Sequence, residues 1–188
     1  MRIAIFGGSF NPIHTGHALM AQTVAESGLA DEVWMMVSPQ NPWKDEANLM
    51  DEKKRMELVR LAVNEIPGVE ASDFEFSLPK PSFTYATLRA LQTAYPQHQF
   101  LLLIGSDNWN AFSKWRNWEE ILSGFELLIY QRPDVPARGP FPEGVHLLDN
   151  VPQMMVSSTY IRRRIADGKS LRFLVPEAIR EHLEGKPE

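Results

Sequence analysis

Ile3-Ala4-Ile5-Phe6-Gly7-Gly8-Ser9-Phe10-Asn11-Pro12-Ile13-His14-Thr15-Gly16-His17 passes from a short apolar run through paired glycines into residues with helical spacing. Ile3 to Phe6 reads as a buried strand that ends at Gly7-Gly8. From Thr15 onward Ala18, Leu19, Ala21, Gln22 and Ala25 fit a helix, and Gly28 is its stop. Paired glycines let backbone N–H groups approach a ligand closely, and a helix N-terminus just beyond them favours an anion such as phosphate. His14 and His17 stand three apart at that helix start, so their rings can turn to one side and donate hydrogen bonds to oxygens that gain charge. A plain strand–turn–helix with two surface histidines fits the same residues. A two-histidine zinc site is a further alternative, but no third ligand of suitable spacing is evident.

The same alternation continues outward. Val33 to Val37 is a second short apolar run, bounded by Ser38-Pro39. Asp51 is placed to cap a helix carrying Met56, Val59, Leu61, Ala62 and Val63, closed by Pro67-Gly68. A helix is predicted from about Thr84 to Tyr95, stopped by Pro96. Phe100 to Ile104 is the most apolar run and reads as a central strand buried on both faces. Phe125 to Tyr130 and Val145 to Leu148 are further strands, separated by a loop from Arg132 to Gly144 that holds four prolines and two glycines. A helix follows Ser157-Ser158, and a last one opens at Pro176. Strands alternating with helices imply an α/β fold with an open parallel sheet, helices on both faces, and a ligand crevice at the carboxyl ends of the strands.

Composition limits the classes. The chain has 188 residues, 44% of them apolar, with 19 basic and 24 acidic side chains and no cysteine. That length suits a single domain with a core large enough to need no disulfide or metal staple. Without cysteine there is no thiolate metal site, and a reducing compartment fits. A formal charge of −5 and the lack of a basic–aromatic stripe argue against a nucleic-acid binder. No run of apolar residues is long enough for a membrane span, and the first residues do not pattern as a signal peptide. The expectation is a soluble cytoplasmic protein without nucleic-acid or membrane partners, for which a homo-oligomer is left open.

Other segments at predicted strand ends carry chemistry. In Val156-Ser157-Ser158-Thr159-Tyr160-Ile161-Arg162 the hydroxyl residues suit a helix start, and Arg162 follows about one turn in. Free N–H groups, hydroxyls and a guanidinium could there receive a triphosphate tail, although a plain cap and a solvated arginine face explain them equally. Thr84 and Tyr85 open the third predicted helix after Pro81-Ser82-Phe83, where backbone N–H groups could receive a carboxylate. Gly105-Ser106-Asp107 follows the central strand. Trp115 lies in Trp115-Arg116-Asn117-Trp118, and an indole face can stack on a flat aromatic cation.

The first segment resembles the signature of the HxGH nucleotidyltransferase superfamily, G-G-[ST]-F-D-P-x-H-x-G-H, with Asn11 in place of the usual Asp. Val156 to Arg162 resembles that superfamily's I-S-[SA]-T-x-I-R, with Val156 for Ile, about 140 residues later. Between them, Pro81 to Leu88 resembles the P-S-[YF]-T-x-x-T-L of bacterial nicotinate-nucleotide adenylyltransferases. Gly105-x-Asp107 and Arg132-Pro133 also match that branch. Lys44 ends Ser38-Pro39-Gln40-Asn41-Pro42-Trp43-Lys44, where relatives read P-x-x-P-P-H-K. Asn41 and Trp43 depart from that pattern.

The resemblance spans Ile3 to about Leu183 and implies one Rossmann-like nucleotidyltransferase domain over 1–188, its last helices (about 158–185) packing as a small C-terminal part. It implies adenylyl transfer from ATP to nicotinate mononucleotide, with Mg²⁺ held mainly by the ATP phosphates and no protein metal site. His14, His17, Lys44 and Arg162 would act on the phosphate chain. Gly7, Gly8, Ser9, Phe10, Gly105, Asp107, Ser157, Ser158 and Thr159 would bind ATP. Thr84, Tyr85, Trp115 and Arg132 would bind the second substrate. Pantetheine-phosphate adenylyltransferase and a non-catalytic nucleotide sensor are the alternatives: the first has no use for a carboxylate pocket beside an aromatic platform, and the second could dispense with His17 and Arg162.

Overall fold

Six strands make up one sheet: β1 (Arg2–Gly8), β2 (Glu32–Val37), β3 (Val69–Ser72), β4 (Gln99–Gly105), β5 (Glu126–Tyr130) and β6 (Val145–Leu148). They come from a computed structural model that describes residues 1–40, 49–148 and 151–185. Every neighbouring pair is parallel, in the order β3-β2-β1-β4-β5-β6. The α-helices are α1 (Thr15–Glu26), α2 (Glu52–Val63), α3 (Thr84–Ala94), α4 (Ser106–Asn110), α5 (Trp118–Gly124), α6 (Ser158–Ala166) and α7 (Glu177–Glu184).

Alternate strand residues face opposite sides, and both sides are covered, so the central strands read as unbroken apolar runs. Ile3, Ile5, Leu102, Ile104, Leu127 and Ile129 pack with Leu88 and Leu91 of α3 and Ile121 of α5. Ala4, Phe6, Leu101, Leu103 and Leu128 pack on the other side with Met20 of α1, Leu58 and Val59 of α2, Ile161 of α6 and Ile179 of α7. The last two helices therefore bury their apolar stripes in the same layer as α1 and α2. Among the described residues no helix is long and apolar enough to cross a membrane.

Local chemistry sets most boundaries. The Asp51 carboxylate caps α2 by accepting from the amides of Lys53 and Lys54 at 3.0 and 3.1 Å. The Ser157 hydroxyl accepts from the Tyr160 amide at 3.2 Å and starts α6. Several elements depart from the sequence expectation. β3 was not anticipated, because Val-Glu-Ala-Ser contains one strong strand former; pairing with β2, in the register Val33 to Val69, holds it in the sheet. Helices α4 and α5 are too short to show a helical period, and Asn117, at φ 57°, turns the chain sharply before α5. Pro176 flanks α7 instead of occupying its first turn.

The first three strands run outward from β1 in one direction, and the chain then crosses to place β4 on the other side of β1. Connections leaving the carboxyl ends of β1 and β4 diverge, which opens a crevice between them. Gly7-Gly8 and Gly105 stand at those two ends.

Candidate active site

The crevice holds a cavity of about 430 Å³ above β1 and β4. Gly7, Gly8, Ser9, Phe10 and His17 enter it from the first strand and turn, Gly105 and Asp107 from the end of β4, and Ser158 from the start of α6. Thr84, Trp115 and Arg132 line it as well. A second cavity, of about 280 Å³, adjoins it and is lined by His14, His17, Arg132 and Ser157 among others. His17, Tyr130 and Arg132 border both cavities. The two distant hydroxyl- and histidine-bearing turns thus meet: the Ser158 hydroxyl donates to the Pro12 carbonyl at 2.9 Å, and Arg162 Nη1 donates to the Asn11 carbonyl at 2.8 Å.

The histidine rings stack with centroids 3.7 Å apart and planes 21° apart. His17 Nδ1 accepts from the His14 amide at 3.4 Å, so a neutral His17 ring carries its proton on Nε2. Phe10 braces the pair edge-on, 5.0 Å from the His17 centroid. The Phe10 ring also explains one of the glycines, since a Cβ on Gly8 would sit 3.0 Å from it, whereas nothing among the described residues crowds Gly7.

His14 is 3% exposed, and burial, followed by the Arg132 charge, holds its pKa down to about 4. Its native pKa lies below the unfolded value, so the native state gains from a neutral ring above pH 6.5 and loses that advantage as pH falls toward 4. Stability is expected to drop by about 2 kcal/mol between pH 7 and pH 5 on this account. Urea unfolding of the protein and of His14→Gln at both pH values checks it: an equal drop in the two would remove His14 as the cause.

Arg132 Nη1 pairs with Asp107 at 3.1 Å, with both side chains well exposed. Such a pair contributes roughly 0–1 kcal/mol, so Arg132 is cheaply re-aimed. The Arg132 amide donates to the Ser106 hydroxyl at 2.8 Å, and that hydroxyl donates to the Val135 carbonyl, which ties down the start of the Pro-rich loop. Above α3 the cavity wall is aromatic, formed by Phe83 and Trp115, with the Arg116 guanidinium 5.0 Å from the Phe83 ring centroid. Among the described residues no side chain caps α3, and Phe83 and Thr84 at its start line this end of the cavity.

Three predicted residues line neither cavity. Tyr85 packs against the sheet core, Thr159 accepts from Arg162 Nη2 at 3.2 Å, and Arg162 lies along the Asn11 carbonyl. Lys44 lies outside the described residues. Sequence reasoning missed Tyr130, Ser38, Glu75 and Thr87, all of which line the larger cavity. Burial pushes the Glu75 carboxyl up, against the pull of hydroxyl hydrogen bonds led by Ser38 and Thr87. A lone carboxylate between Phe74 and Phe76 was the available signal for Glu75; for Tyr130 there was none, because it reads as the end of an apolar strand.

The cytidylyltransferase-like family profile matches residues 5–164. A Bacteroides fragilis protein named "Probable nicotinate-nucleotide adenylyltransferase" is 44% identical over 179 residues, 95% of this chain and 89% of its own length. A Cytophaga hutchinsonii protein of the same name is 44% identical over 181 residues, 96% of this chain and 94% of its own. Among solved structures, a Plasmodium falciparum nicotinic acid mononucleotide adenylyltransferase complexed with NaAD superposes with a TM-score of 0.78 over 96% of this chain and 95% of its own, at 18% identity, which speaks for the fold. With its two motifs joined across one crevice and relatives this similar along nearly their whole length, the chain belongs to the nicotinate-nucleotide adenylyltransferase family of cytidylyltransferase-like proteins.

Proposed function

We infer that this enzyme transfers the adenylyl group of ATP to nicotinate mononucleotide, releasing pyrophosphate and forming deamido-NAD in NAD biosynthesis. The single observation that carries the reading is the junction of two cavities at His17, Tyr130 and Arg132, beside the contact between the two motif turns. A dinucleotide product needs two nucleotide halves whose phosphates meet; residues assigned to both halves line the larger cavity, and His17, Tyr130 and Arg132 stand where the phosphates would meet.

The attacking phosphate monoester is already largely dianionic at neutral pH, with a second pKa near ~6, so its oxygen needs no general base. The work left to the protein is in-line positioning and neutralisation of charge at the α-phosphorus and the leaving pyrophosphate. His17 Nε2–H serves as donor at the phosphate chain, with His14, kept neutral, stacked beneath it. Gly7, Gly8, Ser9 and Phe10, with Ser157 and Ser158, surround the nucleotide, and Gly105 and Asp107 face its sugar. Lys44 and Arg162 are assigned to the outer phosphates, Arg162 by leaving a carbonyl for a stronger anionic acceptor. Arg132 can likewise turn from Asp107 to a phosphate.

Among the described residues no group of three His, Asp or Glu side chains could hold a metal ion. Mg²⁺ in this reading arrives on the phosphates of ATP, coordinated by their oxygens and water. The nicotinate carboxylate is assigned to the open amides of α3 at Thr84 and Tyr85, and the pyridinium ring to the face of Trp115. We place the enzyme in the cytoplasm, consistent with a chain that has no cysteine.

Incubation with ATP, Mg²⁺ and nicotinate mononucleotide is expected to yield pyrophosphate and deamido-NAD in equal amounts. Nicotinamide mononucleotide and phosphopantetheine are expected to be poorer acceptors, and faster turnover of either one would replace this reading. Trp115→Ala is expected to raise KM for nicotinate mononucleotide about 2- to 30-fold, the equivalent of a stack worth ~0.5–2 kcal/mol. KM for ATP should hardly move, and steady-state kinetics with each substrate varied will show whether it does.

A further inference from the structure

Arg55 lies on the apolar stripe of α2 and is 1% exposed, yet no carboxylate pairs with it among the described residues. Its guanidinium donates to four carbonyls instead: Met50 and Pro39 at 3.0 Å, and Ser9 and Ser38 at 2.7 Å. Ser9 follows β1, while Ser38 and Pro39 follow β2. Glu75, 6% exposed, has no cation against it among the described residues and accepts from the Ser38 and Thr87 hydroxyls, each at 2.7 Å. Thr87 belongs to the first turn of α3.

Ser38 therefore stands between two buried groups of opposite charge, its carbonyl toward Arg55 and its hydroxyl toward Glu75. A buried ionisable group with no partner is costly; four carbonyl dipoles compensate Arg55 and two hydroxyls serve Glu75, and Ser38 belongs to both sets. A hydrophobic side chain of equal volume could fill either place, but it could not hold four loop carbonyls or join a strand end to a helix. All the anchored points except Met50 and Pro39 line the larger cavity. They fall at its two ends: Ser9 beside the histidine turn, Thr87 beneath the open amides of α3.

We propose that Arg55, Ser38 and Glu75 form a buried relay of positioning residues that fixes the distance between the phosphate-facing turn and the α3 end of the cavity. In this role, which rests on the function proposed above, the relay sets the reach between the two nucleotide half-sites. A displacement of about 1 Å at either end would spoil in-line attack while leaving each half-site able to bind.

Ser38→Ala removes only the hydroxyl link and keeps the carbonyl for Arg55, so it is the mildest cut. It is expected to lower kcat about 10-fold, with KM for each substrate within about 3-fold of wild type. Arg55→Lys and Glu75→Gln are expected to do the same or more, and the double variant to be no slower than its worse parent, since a relay broken once is already broken. Losses that multiply in the double variant, or a lowered Tm with unchanged kcat, would overturn the proposal. A second readout needs no substrate: in Ser38→Ala and Glu75→Gln, amide hydrogen exchange in residues 8–10, none of which bonds Glu75, is expected to accelerate several-fold. Unchanged exchange there sinks the relay even if the enzyme proves inert toward nicotinate mononucleotide, a result that would sink the functional reading alone. Should Arg55→Lys or Glu75→Gln fail to fold, Ser38→Ala decides both readouts.

Discussion

His17→Ala is expected to lower kcat about 10²- to 10³-fold, the scale for loss of one donor at a developing negative charge, while the fold persists. The ring is half-buried at the junction of both cavities, and its Nδ1 accepts from the His14 amide, so the donor assigned to the phosphate chain in the proposed function is Nε2–H. Its ring contacts with described residues are edge contacts with Phe6 and Phe10 and the stack on His14. Removal should therefore cost roughly 1–2 kcal/mol of stability, too little to unfold a domain with two extensive apolar layers. KM for ATP should change only a few-fold, because a donor used mainly in the transition state contributes little to ground-state binding. Circular dichroism and steady-state kinetics check both halves. Turnover within a few-fold of wild type would mean that the histidine pair is structural.

Gly105→Ala is the second large effect. Gly105 has ordinary extended dihedrals, φ −76° and ψ 158°, so its requirement is space and not backbone freedom. A Cβ there would lie 2.6 Å from Asp107 Oδ1, 3.0 Å from Tyr130 Cζ and 3.1 Å from the Tyr130 hydroxyl oxygen. Asp107 must then swing away and lose its bond to Arg132, and the Tyr130 ring must be pushed at the wall between the cavities. Displacement of this kind is expected to cut kcat/KM for ATP by about 10²-fold and to cost about 1–3 kcal/mol of stability. Calorimetric titration with ATP separates weakened binding from slowed chemistry. Wild-type affinity in this variant would show that neither Asp107 nor Tyr130 touches the nucleotide.

The relay of Arg55, Ser38 and Glu75 shows where reading along the chain stopped short. In sequence these residues are a helix cation, a turn serine and an acid flanked by phenylalanines. Nothing within about ten residues of each predicts that they will be bonded together. Arg55 does carry a trace, because it falls four residues before Val59 on the stripe that faces the core, where a charge has to find partners. Tyr130 carries none. By contrast the Gly7-Gly8 turn, the histidine spacing and the Ser157 cap were legible because each depends on neighbours within a turn of helix or a strand end.

From the sequence alone came the alternation of buried strands and helices, and with it the expectation of a parallel sheet with a ligand crevice at the carboxyl ends of its strands. That much follows from local spacing and capping, whose physics acts over a few residues. Only the tertiary structure decided that Arg162 and Ser158 rest on Asn11 and Pro12, that Tyr130 and Arg132 wall off two cavities, and that two buried charges share one serine. Those contacts join residues far apart in the chain, and burial is what makes them strong: away from water an unpaired polar group is too costly to leave, so packing selects its partner.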